Sequence, residues 1–149
     1  MSLSGPAFKA RGLIDGSASG EALVLSEPLS FWGGLDPARG VIIDRHHPQV
    51  GEVVSGRVLV MPRGRGSSSS SSTLAEAFSL GTGPAAILLA EADPIVALGS
   101  LVIHELYGSS PPVVVLDPDS YGRIATGDQV AVDAPVDGPA LVHVTDIGS

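Results

Sequence analysis

An α/β domain with a parallel core sheet, flanking helices and a second β layer is the fold class this sequence predicts. Three observations predict it. Apolar residues are 44% of the 149-residue chain, and they arrive in blocks such as VLVM (58–61), AAILLA (85–90) and VVVL (113–116). Continuous apolar runs of that length are what parallel strands covered on both faces require. Segments with helical spacing separate the blocks, giving strand–helix–strand–helix–strand, the order that builds a parallel sheet through crossovers. The segments flanking this core read as further strands and supply the second layer.

Each element follows in order. Residues 8–26 read as two short strands around a Gly/Ser turn from Gly16 to Gly20. Residues 27–56 hold three prolines and no helical period, so they form a long loop. Such a loop inside a compact domain usually carries function, and this one holds Trp32 and two of the four histidines. The run at 56–62 is a buried strand, followed by GRGSSSSSS and then TLAEAFSL (73–80), where Leu74, Ala77 and Phe78 share one helical face and Gly81 is the stop. Residues 83–91 form the next strand. Asp93 then caps a helix with Pro94 at its first position, running through Ile95, Leu98, Val102 and Leu106. Residues 111–117 are a third buried strand. A Gly127-Asp128 turn leads into a strand ending near Ala134, and 140–145 alternates like an edge or outer strand. No internal linker or repeat divides the chain, so 1–149 reads as one domain.

Charge and composition exclude several partners. Eight basic against sixteen acidic residues give a net charge of −8, and Lys9 is the only lysine. No basic stripe is available to neutralise phosphates, which argues against nucleic acid and against an anionic membrane surface. No apolar run approaches the roughly 20 residues that span a bilayer. The first residues, MSLSGPAFKARG, lack the apolar core of a signal peptide, so a cytoplasmic location is expected. With no cysteine, the chain has no thiolate to offer as nucleophile or cluster ligand. His46 and His47 are adjacent rather than spaced as ligands, so no metal site is expected here.

The chemistry-bearing stretch is Gly64-Arg65-Gly66-Ser67-Ser68-Ser69-Ser70-Ser71-Ser72-Thr73, set between a strand and a helix. Glycines allow a sharp turn after the strand, and the helix start leaves amide N–H groups unpaired, which together favour an anion. A carboxylate or phosphate suits that turn, with Arg65 or Arg63 adding a bidentate contact. The loop is not a Walker A motif, which needs a lysine. A serine run is also what a flexible linker looks like; the strand before it and the amphipathic helix after it leave nothing to link. One serine also serves as a helix cap. A serine acting as base or nucleophile needs an activating partner, and no G-x-S-x-G elbow or clean His triad is present. His104 reads as a helix-surface residue and His143 as a solvent-facing strand residue. His46 and His47, after Asp44, share the long loop with Trp32 and are placed to line a site.

Taken together, SFWGGLDPARGVIIDRHHPQVGEVVSGRVLVMPRGRGSSSSS (30–71) closely resembles the small subunit, or swivelling domain, of the aconitase X family. ADPIVALGSLVIHELYG (92–108) and PPVVVL (111–116) extend the resemblance over about residues 9–133. It implies a swivelling β/β/α domain like the fourth domain of aconitase, working as part of a dehydratase. It further implies a large subunit as partner, with an iron–sulfur or iron centre held there by cysteines. Known substrates in the family are mevalonate 5-phosphate in archaea and cis-3-hydroxy-L-proline in bacteria. By motif position Ser67 matches the proton-acceptor serine. Gly66, Ser68, Ser69 and Arg65 fall on the substrate-anion loop, and Asp44 and His47 on a second motif segment. Aconitase-like loops carry an Arg two residues after the base, where this chain has Ser69, so Arg65, Arg63 or the partner must supply that contact.

The high-Ala, high-Gly composition and the few cations of the loop favour a hydroxyproline-type substrate. Mevalonate 5-phosphate is the alternative within the class. A stand-alone module binding a small anion, and an interaction scaffold with an ordered serine run, are the alternatives from other classes.

Overall fold

The computed structural model describes residues 7–65 and 69–145. Its strands β1 (Ala7–Ile14), β2 (Gly16–Val24), β5 (Val58–Met61), β6 (Ala86–Leu89), β7 (Val113–Val115), β8 (Gln129–Ala134) and β9 (Ala140–Thr145) close into a barrel in the order β1-β7-β6-β5-β2-β8-β9. The run β2-β5-β6-β7 is parallel; the pairs around β8, β9 and β1 are antiparallel. Closure depends on two long strands that change partners midway. β1 pairs with β9 over Ala7–Ala10 and with β7 from Arg11 onward. β2 pairs with β8 over Gly16–Glu21 and with β5 over Ala22–Val24. The crossover in β2 needs Gly20, where a Cβ would lie 2.6 Å from the Gly56 carbonyl oxygen.

Alternation assigns every apolar strand residue a side. Val58, Val60, Ala86, Leu88 and Val114 point into the barrel, where they meet Val130, Val132, Val142 and Val144 from the antiparallel strands. Leu59, Met61, Ile87, Leu89 and Val113 point outward and are equally buried beneath a covering layer. That layer comprises the helices α2 (Ser69–Ser79) and α3 (Pro94–Tyr107) and the segment between β2 and β5. The last contains a single broken turn, α1 (Phe31–Gly34), and the short paired strands β3 (Leu35–Asp36) and β4 (Val41–Ile42). A further short helix, α4 (Pro118–Tyr121), is capped by Asp117 and has Pro at its start.

The parallel core, the two helices and the second β layer agree with the sequence. Four local expectations are corrected. Gly16–Gly20 is strand, and the reversal falls at Asp15; its small residues serve close pairing with β8 rather than a turn. Residues 140–145 are not an edge, because β9 is paired on both sides by β1 and β8. The 27–56 segment is packed cover: Leu29, Phe31, Leu35, Ile42 and Val54 are all buried. Finally, α3 buries Val96, Gly99, Ser100 and Ile103, leaving Leu98, Val102 and Leu106 exposed. The small residues decide that face. A Cβ on Gly99 would sit 3.3 Å from Ser71 Cα, so α3 approaches α2 at Gly99, and the buried Ser100 hydroxyl donates to the Pro111 carbonyl.

Candidate functional site

The parallel strands end at one rim of the barrel, and the described ends of the glycine–serine loop, Gly64–Arg65 after β5 and Ser69–Ser70 at the start of α2, lie there. β5 continues through Pro62 and Arg63 to Gly64, which forms an isolated parallel bridge with Leu29; the Arg65 amide donates to the Leu29 carbonyl at 3.1 Å. On its other side the Gly64 amide donates to Asp93 Oδ2 at 2.8 Å. No side chain fits at Gly64, because a Cβ would be 2.7 Å from Val96 Cγ2. Asp93 Oδ1 meanwhile accepts from the amides of Ile95 and Val96 at 2.9 and 3.2 Å, capping α3. The loop therefore leaves β5 between two fixed neighbours.

The far end of the loop is fixed by Ser70, which is 3% exposed. Its hydroxyl lies 3.4 Å from Ser30 Oγ and 3.5 Å from the Trp32 amide and the Arg65 carbonyl oxygen. Ser30 Oγ also donates to the Trp32 carbonyl at 3.0 Å. Ser71 is turned toward α3, donating to the Ile95 carbonyl at 3.2 Å. Phe31, Gly64, Arg65, Ser70, Asp93 and Val96 line one small cleft between these elements. Trp32, 64% exposed, stands beside it on a backbone whose next residue, Gly33, takes a φ of 78°.

Each residue singled out from the sequence has a place. Gly66, Ser67 and Ser68 lie outside the described residues, between the two anchored loop ends. Ser69 opens α2, and Arg65 is exposed on the loop's entry. Arg63 turns to Glu91 instead, at 3.8 Å between two exposed groups, a pair that contributes little in water. Asp44 makes a local turn, its Oδ1 accepting from the His46 amide at 2.9 Å. His47 is buried and uses both ring nitrogens: Nε2 lies 3.0 Å from the Glu27 carbonyl and Nδ1 accepts from the Gln49 amide at 3.0 Å. With Nδ1 accepting, Nε2 is the ring nitrogen that faces the Glu27 carbonyl as donor, and the two bonds clamp the start of the covering segment to its 44–50 turn. His104 and His143 are half-exposed and stand on α3 and β9.

Sequence reasoning found the loop but not its anchors. Asp93 reads as a helix cap, and the second task of its carboxylate joins residues 29 positions apart. Ser70 carries no signal that separates it from the other serines of the run. The chain has no cysteine, and among the described residues no group of three ligating side chains converges. No helix among the described residues is long and apolar enough to cross a membrane.

A closed β/β/α barrel with a glycine–serine loop joining a parallel strand to a helix at the rim defines a swivel-type domain. The chain belongs to the aconitase X swivel domain family, whose pattern it matches over residues 7–139. It is 53% identical over 106 residues to a cis-3-hydroxy-L-proline dehydratase of Pseudomonas aeruginosa, covering 71% of this chain and 18% of that protein. It is 38% identical over 126 residues to the phosphomevalonate dehydratase small subunit of Pyrococcus furiosus, covering 85% of this chain and 88% of the subunit. The fold matches the crystal structure of Thermococcus kodakaraensis aconitase X in its holo form, with a TM-score of 0.82 at 34% identity, over 95% of this chain and all of that one. The chain spans only about a fifth of the hydroxyproline dehydratases it resembles, 18% and 21% of two of them.

Proposed function

We propose that this chain is a single swivel domain serving as the small subunit of a heteromeric, cytoplasmic aconitase X-type hydro-lyase that dehydrates cis-3-hydroxy-L-proline or a related hydroxy acid. The observation that carries this reading is the Gly64–Ser70 loop, pinned at both ends on the barrel rim of a domain whose relatives are dehydratases.

Ser67 is the base. Its oxygen takes the proton from the carbon next to the substrate carboxylate, and the electron pair of that C–H bond forms the double bond as hydroxide leaves the neighbouring carbon. A serine hydroxyl is a weak base at its ordinary pKa and needs cationic or amide neighbours to act as an alkoxide. Gly66, Ser68 and Ser69 supply loop amides and hydroxyls at the start of α2, and Arg65 adds positive charge and a bidentate grip on the substrate carboxylate. Asp44 stands with Gly34 beside the Trp32 segment, where its place in this reading is to orient substrate. His47 enters as the clamp of the covering segment. Departure of the hydroxide falls to a larger partner, where an iron–sulfur or iron centre belongs in this reading.

The higher identity to a hydroxyproline dehydratase favours that substrate. Mevalonate 5-phosphate is the second reading, favoured by the near-complete coverage of phosphomevalonate dehydratase small subunits. The test is an anaerobic dehydration assay of the chain with its larger partner on both compounds. Turnover that needs both chains and falls at least about 10³-fold in Ser67→Ala supports the assignment, and the substrate consumed chooses between the readings. Copurification without turnover of either compound rejects both substrates. No copurification and no turnover, with measurable affinity of the isolated chain for a small carboxylate, makes it a stand-alone binding module.

A further inference from the structure

The geometry assigns Asp93 a second task beyond capping α3: it is the positioning residue that holds the entry of the serine loop, and with it the carrier of the base. The inference rests on the reading above for its catalytic half and on contacts alone for its structural half. Capping a helix needs one acceptor oxygen, and Oδ1 fills that role for Ile95 and Val96. Oδ2 is left over and reaches across to the Gly64 amide at 2.8 Å, the shortest bond of the three. The carboxylate sits at the start of a helix packed through buried Val96 and Ile103 and through its close approach to α2 at Gly99.

Gly64 has no freedom to drift from that oxygen. The Leu29 bridge holds its neighbour Arg65 on the opposite side, and Val96 closes the space where a side chain would sit. Ser67 lies three residues beyond Gly64, and Ser70 three beyond Ser67. The described ends of the loop that contains Ser67 in sequence are thus both fixed, by Asp93 at one and Ser70 at the other. A displacement of about 1 Å in a reacting group costs on the order of 100-fold in rate, so loosening one end should slow the chemical step without unfolding the domain.

Two variants separate this role from capping. Asp93→Ser keeps a preferred cap residue but has no second oxygen for Gly64; Asp93→Asn keeps one oxygen for the cap and presents either that oxygen or a donor to the Gly64 amide. Ser71→Ala is the control, since it removes a bond to the same turn of α3 without touching the loop. In the isolated chain, amide hydrogen exchange should speed at Gly64 by about tenfold or more in Asp93→Ser while Ile103 keeps its protection. Ser71→Ala should leave Gly64 unchanged. In the assembled dehydratase, kcat should fall about 10- to 100-fold in Asp93→Ser with KM changing less, and stay within about twofold in Ser71→Ala.

Unchanged protection at Gly64, or a loss no greater than in Ser71→Ala, overturns the anchoring. Faster exchange with unaltered kcat overturns the positioning role. A wild-type assembly that turns over neither substrate defeats the proposed function instead, while the exchange experiment still decides whether Asp93 holds the loop.

Discussion

The two halves of the barrel share one interior and differ in everything outside it. Around β5, β6 and β7 the outward residues Leu59, Met61, Ile87, Leu89 and Val113 are as buried as the inward ones, beneath α2, α3 and the β2–β5 segment. Around β8 and β9 the outward residues are Ala131, Asp133, Leu141 and His143, and the surface there is an open face on which Ser17 Oγ donates to Asp133 Oδ1 at 3.1 Å. A strand covered twice must be apolar at every position, whereas one covered once can alternate. The candidate site follows the same division. It is built where the covering layer meets the rim, because there loops leave the strand ends already pressed between helices and cover. Among the described residues, the open half has no covering layer to fix a loop in place.

Substitutions on matched outward positions of the two halves test this division most directly. Leu89→Ala, on the covered side and 0% exposed, should destabilise the domain by about 2–5 kcal/mol. Urea denaturation reads this as a lower midpoint at unchanged slope. A loss below about 1 kcal/mol would mean that the cover is not packed on β6.

Next in size is the clamp of the cover itself. His47→Ala leaves the Glu27 carbonyl and the Gln49 amide without their buried partner, at a cost of about 1–3 kcal/mol. Faster amide exchange should be confined to the 27–54 segment, with β8 and β9 unaffected.

A smaller, pH-dependent effect should come from carboxylates outside the barrel strands, Asp36 in β3 and Asp117 at the start of α4. The hydrogen bond from Arg39 to Asp36 holds the Asp36 carboxyl below its ordinary range, and the bonds from Ser120 do the same for Asp117. A carboxyl with a lowered folded pKa adds stability above the unfolded value, about 3.9, and loses it as pH falls through the folded one. The difference between wild type and Asp36→Asn should therefore be present at pH 7 and vanish in strong acid. A difference that grows on acidification would reverse the sign assigned to Arg39.

The smallest effect belongs to the open face. Ser17→Ala and His143→Ala should each stay within about 0.5 kcal/mol of wild type, as exposed substitutions do, measured by the same denaturation. A larger loss at His143 would show that this face is covered in the isolated chain.

The apolar blocks at 58–61, 86–89 and 113–116 and the Asp93-Pro94 cap follow from local rules, since strand burial and helix capping act over a few residues. So β5, β6, β7, α2 and α3 were legible. Closure of the barrel was not, because it depends on β1 and β2 each changing partner midway, with Gly20 passing close to Gly56. The buried face of α3 was also decided in three dimensions: the stripe through Leu98, Val102 and Leu106 is the more apolar, yet Gly99 allows the close approach to α2 while the buried Ser100 hydroxyl donates to the Pro111 carbonyl. At the site the residue types were readable and their mutual ties were not. Sequence fixes which groups can donate and accept; only folding brings the Asp93 carboxylate to Gly64 and the Ser70 hydroxyl to Ser30, pairs separated by 29 and 40 residues. Hydrogen bonds act over about 3 Å in space and have no memory of distance along the chain.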